Sequence, residues 1–162
     1  MAEPDGAWRY PFFEEIELRR QRIVARPIVP ISMAGLPLGR ALDGLVDSGS
    51  ESTLIARWVA DLLGIDLRAP DEILTIGVGG ATVEARFVEV ELRLQRWPDE
   101  NEGATSVAWR TEVGFVTPWR PLYPILLGQR GFLDQFAVTI SRFAQELTVE
   151  SIQTYDQRFS SP

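Results

Sequence analysis

The chain contains no cysteine and no histidine, and all 16 of its basic residues are arginine. Without cysteine there are no disulfides, no thiolate nucleophile and no thiolate-bound zinc. Without histidine the Ser–His–Asp and Cys–His arrangements fall away, together with imidazole-bound metals. The absence of lysine removes Schiff-base chemistry and Ser–Lys pairs. Long apolar runs are missing as well, and Met1 to Gly6 is polar and acidic. Neither a membrane span nor a cleavable signal peptide is expected, and the chain reads as cytoplasmic with no membrane partner. Nor is there a basic stripe: 23 acidic residues against 16 basic give a net charge of −7, which argues against nucleic acid as a partner. Carboxylates, hydroxyls, tyrosine and arginine survive as catalytic groups, with a hard metal on oxygen ligands as the other option. No Asp/Glu spacing matches a calcium-binding loop. Acid–base chemistry by Asp or Glu leads by elimination.

A length of 162 residues fits one compact domain with a real core. Residues 1–20 read as an arm, 21–152 as the domain and 153–162 as a tail. The arm is aromatic and charged, with Trp8, Tyr10, Phe12 and Phe13 expected to pack on the domain or on a partner. From Arg22 to Ile31 the β-branched residues predict strand, broken by Pro27 and Pro30 into an edge strand or two short pieces. Gly35 to Gly39 reads as a turn, and Ala41 to Val46 as a short strand. The apolar stripe Leu54, Ile55, Trp58, Val59, Leu62 and Leu63 predicts a helix capped by Ser50 or Ser52 and ended by Gly64. Ile73 to Val78 and the strand beyond Gly79-Gly80 form a predicted hairpin. The inward phase there slips between Phe87 and Val88, which predicts a β-bulge. Arg96 to Thr105 reads as a loop and Ser106 to Thr117 as a strand. Pro118, Pro121 and Pro124 stiffen the connection to Ile125-Leu126-Leu127-Gly128. A short helix over Arg130 to Gln135 and a closing strand pair, Phe136 to Ile140 with Glu146 to Ile152, complete a mostly β chain with two short helices.

Three features stand in a fixed order: Leu45-Val46-Asp47-Ser48-Gly49-Ser50, the glycine hairpin Gly77-Val78-Gly79-Gly80, and Leu126-Leu127-Gly128. Over roughly Pro27 to Glu150 this order resembles the retropepsin-like aspartic proteases, including their bacterial members. The resemblance implies an all-β fold: a closed or partly open β-barrel with a flap hairpin, active as a twofold homodimer. It implies an aspartic endopeptidase that acts on peptide or protein substrates and uses no cofactor. Asp47, Ser48 and Gly49 are then the catalytic triplet. Ser50, the flap residues Ile76, Gly77, Val78, Gly79 and Gly80, and Leu126, Leu127 and Gly128 frame the substrate. A single Asp-Ser-Gly triplet per chain means the second Asp47 comes from a second copy. The Ser48 hydroxyl would bond across to the partner's backbone near Val46. The family's Gly-Arg-Asp/Asn is altered here, since Gln129 follows Gly128 and Arg130 comes one place later.

Each signal has a plainer counterpart. Asp-Ser-Gly-Ser alone is turn chemistry, and the glycine hairpin is turn geometry; a phosphate cradle is excluded because no helix follows it. Asp43 and Glu51 are expected to be solvated, and Asp134 to cap or pair locally. A serine-hydrolase reading of Ser48 or Ser50 has no base to support it. The rival reading from another class is a catalytically silent dimeric module that keeps the fold and binds peptides. A masked enzyme relieved by trimming the aromatic arm is a third.

Overall fold

The structure, a computed structural model, describes residues 7–37, 40–69, 72–78, 80–96, 106–119 and 122–159. In chain order its elements are β1 (Trp8–Pro11), β2 (Phe13–Glu17), β3 (Arg22–Arg26), β4 (Ile28–Met33), β5 (Leu42–Val46), β6 (Leu54–Ala56), α1 (Arg57–Leu63), β7 (Glu72–Val78), β8 (Ala81–Gln95), β9 (Ser106–Thr117), β10 (Ile125–Leu127), β11 (Phe136–Ser141), β12 (Glu146–Ser151) and α2 (Ile152–Phe159). The predicted loop over 97–105 and the turn glycine Gly39 lie outside the described residues, as does Gly79.

The largest sheet runs β4-β5-β10-β6-β9-β8-β7, and a further β4–β8 pairing closes its first six strands into a barrel. β7 stays outside the closure and pairs only with β8 among the described residues, which makes the β7–β8 hairpin a flap. Pro27 separates β3 from β4, as its missing N–H requires. Pro30 sits opposite Asp43 in the β4–β5 ladder, one residue before β4 begins to pair with β8 at Ile31.

The core cluster includes Phe115, Leu127 and Phe132, each at most 1% exposed; burying side chains of this size contributes about 1.5–3 kcal/mol each. Trp109 meets Phe136 edge-on at 5.0 Å and donates its indole N–H to the Gly131 carbonyl at 2.8 Å. Much of the aromatic arm is core rather than appendage. Trp8, Tyr10 and Phe12 are buried in the same cluster, because β1 pairs with β12 in the sheet β1-β12-β11. Burial pushes the Tyr10 phenol above its ordinary pKa, and its hydroxyl donates to the Gln95 carbonyl at 3.0 Å. Phe13 is the exception, half exposed at the base of the β2–β3 hairpin.

Three expectations are corrected. The predicted helix from Leu54 begins only at Arg57, because Leu54–Ala56 form β6 between β10 and β9. Ladder bonds on both sides outweigh the helical stripe there, and Trp58 and Leu62 face water. The start of α1 has no side-chain cap, while Gly64 ends it in the left-handed region at φ 68. The predicted bulge at Phe87–Val88 is absent: β8 and β9 pair without a break from Glu84↔Thr117 to Gln95↔Ser106. The inward phase changes because β8 serves two cores on opposite faces. Val83, Ala85 and Phe87 face one cluster, and Leu92 and Leu94 face the other. The second short helix is α2, not Arg130–Gln135, which forms consecutive turns closed by bonds such as Phe136 N to Phe132 O at 3.0 Å. α2 covers Glu150, whose side chain is 2% exposed and pairs with Arg158 at 3.0 Å. No helix among the described residues is long and apolar enough to cross a membrane.

Candidate active site

β5 delivers Asp47 to the end of the barrel. Gly44 permits this, since a Cβ there would meet Ile31 and Leu127 side chains at 2.9 Å. The Val46 amide bonds the Pro27 carbonyl at 2.9 Å, and the Asp47 amide bonds the Leu127 carbonyl at 3.0 Å. The chain then turns: the Ser50 amide donates to the Asp47 carbonyl at 3.1 Å, and the Gly49 amide to Asp47 Oδ1 at 3.0 Å. This is the local turn that Asp, Ser and Gly favour, and it leaves Asp47 half-buried and facing a cleft.

The turn is clamped from below. β10 runs parallel to β5 and antiparallel to β6, and it ends at Leu127, after which Gly128 packs against the backbone of Ser50 and Ser52. Gln129 N donates to Ser50 O at 2.9 Å, Arg130 N to Glu51 O at 2.9 Å, and Thr53 N to Arg130 O at 2.9 Å. The fully buried Thr53 hydroxyl donates to Arg130 O at 3.0 Å and accepts from Gly128 N at 3.2 Å. The Gly-Gln-Arg order has a structural use on both residues. Gln129 Nε2 donates to the Ser48 carbonyl at 2.9 Å, and Arg130 reaches Glu51 at 2.9 Å. The second contact is exposed at both ends, 62% and 82%, so it contributes at most about 1 kcal/mol.

Above the turn lies a cleft of roughly 630 Å³, walled by the flap strands and Trp119. Its apolar lining (Leu54, Ile76, Val78, Phe87, Trp119 and Leu126) rests on the second core cluster. Its polar lining is Asp47, Ser50, Glu51, Ser52 and Arg130. Of the residues expected at the site, Asp47, Gly49, Ser50, Ile76, Gly77, Val78 and Leu126 come together around this space. Ser48 is exposed beside it, held through its carbonyl. Gly80 sits in the flap turn at φ 82. Leu127 points into the barrel core, and Gly128 is buried beneath the turn.

The sequence reading missed Ser52, Leu54, Leu74, Phe87 and Trp119, and it left Glu51 and Arg130 outside the cleft. Leu54 was hidden by its helical spacing. Trp119, an aromatic next to Pro118 in the segment leading to β10, was the readable signal. Among the described residues no metal-ligating group of three Asp or Glu side chains forms, and none from the aromatic arm lines the cleft.

A family model described as aspartyl protease matches residues 29–110. No curated protein matches the chain. Among solved structures, a retropepsin-like aspartic protease from Rickettsia conorii is similar at 14% identity and a TM-score of 0.47, over 92% of this chain and 96% of that one. The retroviral protease-like domain of Ddi1 from Leishmania major is similar at 14% identity and a TM-score of 0.43, over 82% of this chain and 98% of that one.

Proposed function

The chain belongs to the aspartyl protease family, and from that premise we propose that it is an aspartic endopeptidase whose catalytic pair is Asp47 from each of two copies. The observation that carries this reading is the placement of Asp47. Its carboxylate lines a cleft of mixed polar and apolar walls beneath the flap strand, on a turn clamped by backbone bonds from two strands. Peptide hydrolysis without a covalent nucleophile needs a base to activate water and an acid to protonate the carbonyl oxygen. Two carboxylates brought together share one proton and fill both roles.

In the proposed reaction the ionised Asp47 takes a proton from water as the water oxygen bonds to the scissile carbonyl carbon. The protonated Asp47 gives its proton to the carbonyl oxygen. As the tetrahedral intermediate collapses, the Asp47 that took the water proton gives it to the departing nitrogen and the other Asp47 takes a proton back from the diol, so the C–N bond breaks to a carboxylic acid and an amine and the pair again holds one proton. The Gly49 amide on Asp47 Oδ1 holds the carboxylate in orientation. The flap strands and Leu126 take an extended peptide, whose side chains alternate between the two sides of the cleft. Ser48, exposed beside the turn, is free to bond across to the partner's backbone.

The test is cleavage of a diverse peptide pool from mildly acid to neutral pH by the wild type and Asp47→Asn. Loss of roughly a hundredfold or more in rate, with melting and oligomeric state unchanged, is expected. Equal cleavage by both proteins refutes the assignment. Peptide binding without cleavage by the wild type supports the silent module instead.

A further inference from the structure

Completing the proposed site requires a second copy, so the surface next to the catalytic turn belongs to an interface; this rests on the endopeptidase reading above. The Val46 amide, one residue before Asp47, is bonded to Pro27, and the residue before Pro27 ends the β2–β3 hairpin. That hairpin is a two-stranded sheet of its own, and among the described residues neither strand pairs with a third. Ile16 and Ile23 are directly opposed across it. Such a cross-strand aliphatic pair is ordinarily buried, yet the two are 69% and 66% exposed, and Leu18 at the turn is 84% exposed.

The hairpin is nevertheless held in place rather than left loose. Glu15, on its opposite face, accepts the Tyr123 hydroxyl at 2.6 Å and pairs with Arg26 at 3.4 Å. An isolated hairpin is marginal in water; this one is anchored on one face and presents an apolar strip on the other. Its charge does not oppose a copy of itself. Glu14, Glu15 and Glu17 lie on β2, while Arg19, Arg20, Arg22 and Arg26 lie on the turn and β3, in a chain whose net charge is −7. A net-acidic chain repels its copy across most of its surface, whereas on this hairpin Glu17 pairs with Arg20 and Arg22 and Glu15 with Arg26, so the patch is locally balanced and carries no such repulsion.

We propose that the β2–β3 hairpin is the dimerisation element of this protein, with Ile16, Leu18 and Ile23 covered by a second copy on the axis that joins the two Asp47 turns. A second exposed apolar strip exists on α2, at Ile152, Tyr155 and Phe159. α2 packs on β11 and β12 and has no bond of this kind to the catalytic turn, which makes it the control.

The experiment measures the dimer dissociation constant of the full chain by sedimentation, together with peptide cleavage over a dilution series. The variants are Ile16→Glu, Ile23→Glu and the α2 control Tyr155→Glu. Either hairpin variant is expected to raise the dissociation constant roughly a hundredfold, with unchanged circular dichroism and with cleavage recovered at high protein concentration. Tyr155→Glu is expected to leave the constant within about threefold of the wild type. The proposal is overturned if both hairpin variants dimerise like the wild type, if Tyr155→Glu alone dissociates the dimer, or if the wild type is monomeric at every concentration. Asp47→Asn separates the two readings. Its loss of cleavage beside intact hairpin-variant dimers sinks the hairpin and leaves the catalytic pair standing. Its retention of cleavage sinks the catalytic pair, and the dissociation constants still decide the hairpin.

Discussion

Replacing Gly128 by alanine tests whether the Asp47 turn is held by close backbone packing. A Cβ on Gly128 would collide with the Ser52 carbonyl oxygen and lie 2.8 Å from the Ser50 carbonyl oxygen. Both are backbone atoms fixed by the ladder between residues 50–53 and 128–130, so no side chain can swing away. Forcing a methyl into such a site costs about 1–3 kcal/mol. Displacing residues 50–52 also threatens the bond from Gln129 N to Ser50 O and its two neighbours, and losing one adds about 1 kcal/mol. The total is about 2–4 kcal/mol. For a chain of this size each kcal/mol moves the melting temperature by about 2–4 °C, so a fall of about 4–16 °C is expected. Gly77→Ala is the matched control: a Cβ there meets nothing within 4 Å, and the expected change is within about 0.5 kcal/mol. Thermal melts by circular dichroism on both variants give the answer. A Gly128→Ala protein melting within about 2 °C of the wild type would refute the reasoning.

Three further outcomes are expected. Thr53→Val removes the hydroxyl that accepts from the buried Gly128 amide, and leaving that donor unpaired costs about 1–3 kcal/mol; an unchanged urea midpoint would contradict it. Arg158→Ala strips the partner from the Glu150 carboxylate, only 2% exposed, at a cost of about 3 kcal/mol. Glu150→Gln in the same chain is expected to recover part of that loss in the same denaturation assay. The Asp66 carboxyl, exposed at the surface, is held down to about 2 by hydrogen bonds from the Arg68 side chain and backbone. Its stabilisation is therefore complete above its ordinary 3.8 and fades as pH falls through about 2. An NMR titration of Arg68→Gln is expected to show the Asp66 midpoint rising, and an unmoved midpoint would exclude the side-chain bond as the cause.

The residues around Asp47 were legible because the chemistry there is local. An apolar strand ending in Asp-Ser-Gly-Ser makes the same turn wherever it sits, since a carboxylate accepting the amide two residues on needs no distant partner. Gly64 ending α1 and the strand–turn–strand pattern of the flap are readable on the same ground. With histidine, cysteine and lysine absent, composition put acid–base chemistry by carboxylates first among the candidates before any fold was considered.

The rest depended on pairing between distant segments, which leaves no local mark. Leu54, Ile55 and Ala56 carry a helical pattern and become a strand because β9 and β10 bond them from both sides. Phe87 and Leu92 both point inward on one unbroken strand because two cores lie on its opposite faces. Trp8, Tyr10 and Phe12 were expected to pack on the domain or on a partner, and it is the β1–β12 pairing that places them in the core of the chain itself. The sequence by itself determined the Asp-Ser-Gly turn and the carboxylate it presents, as these rest on bonds spanning two or three residues. Only the tertiary structure decided which side chains enclose that group, because long-range ladders choose the face each residue shows.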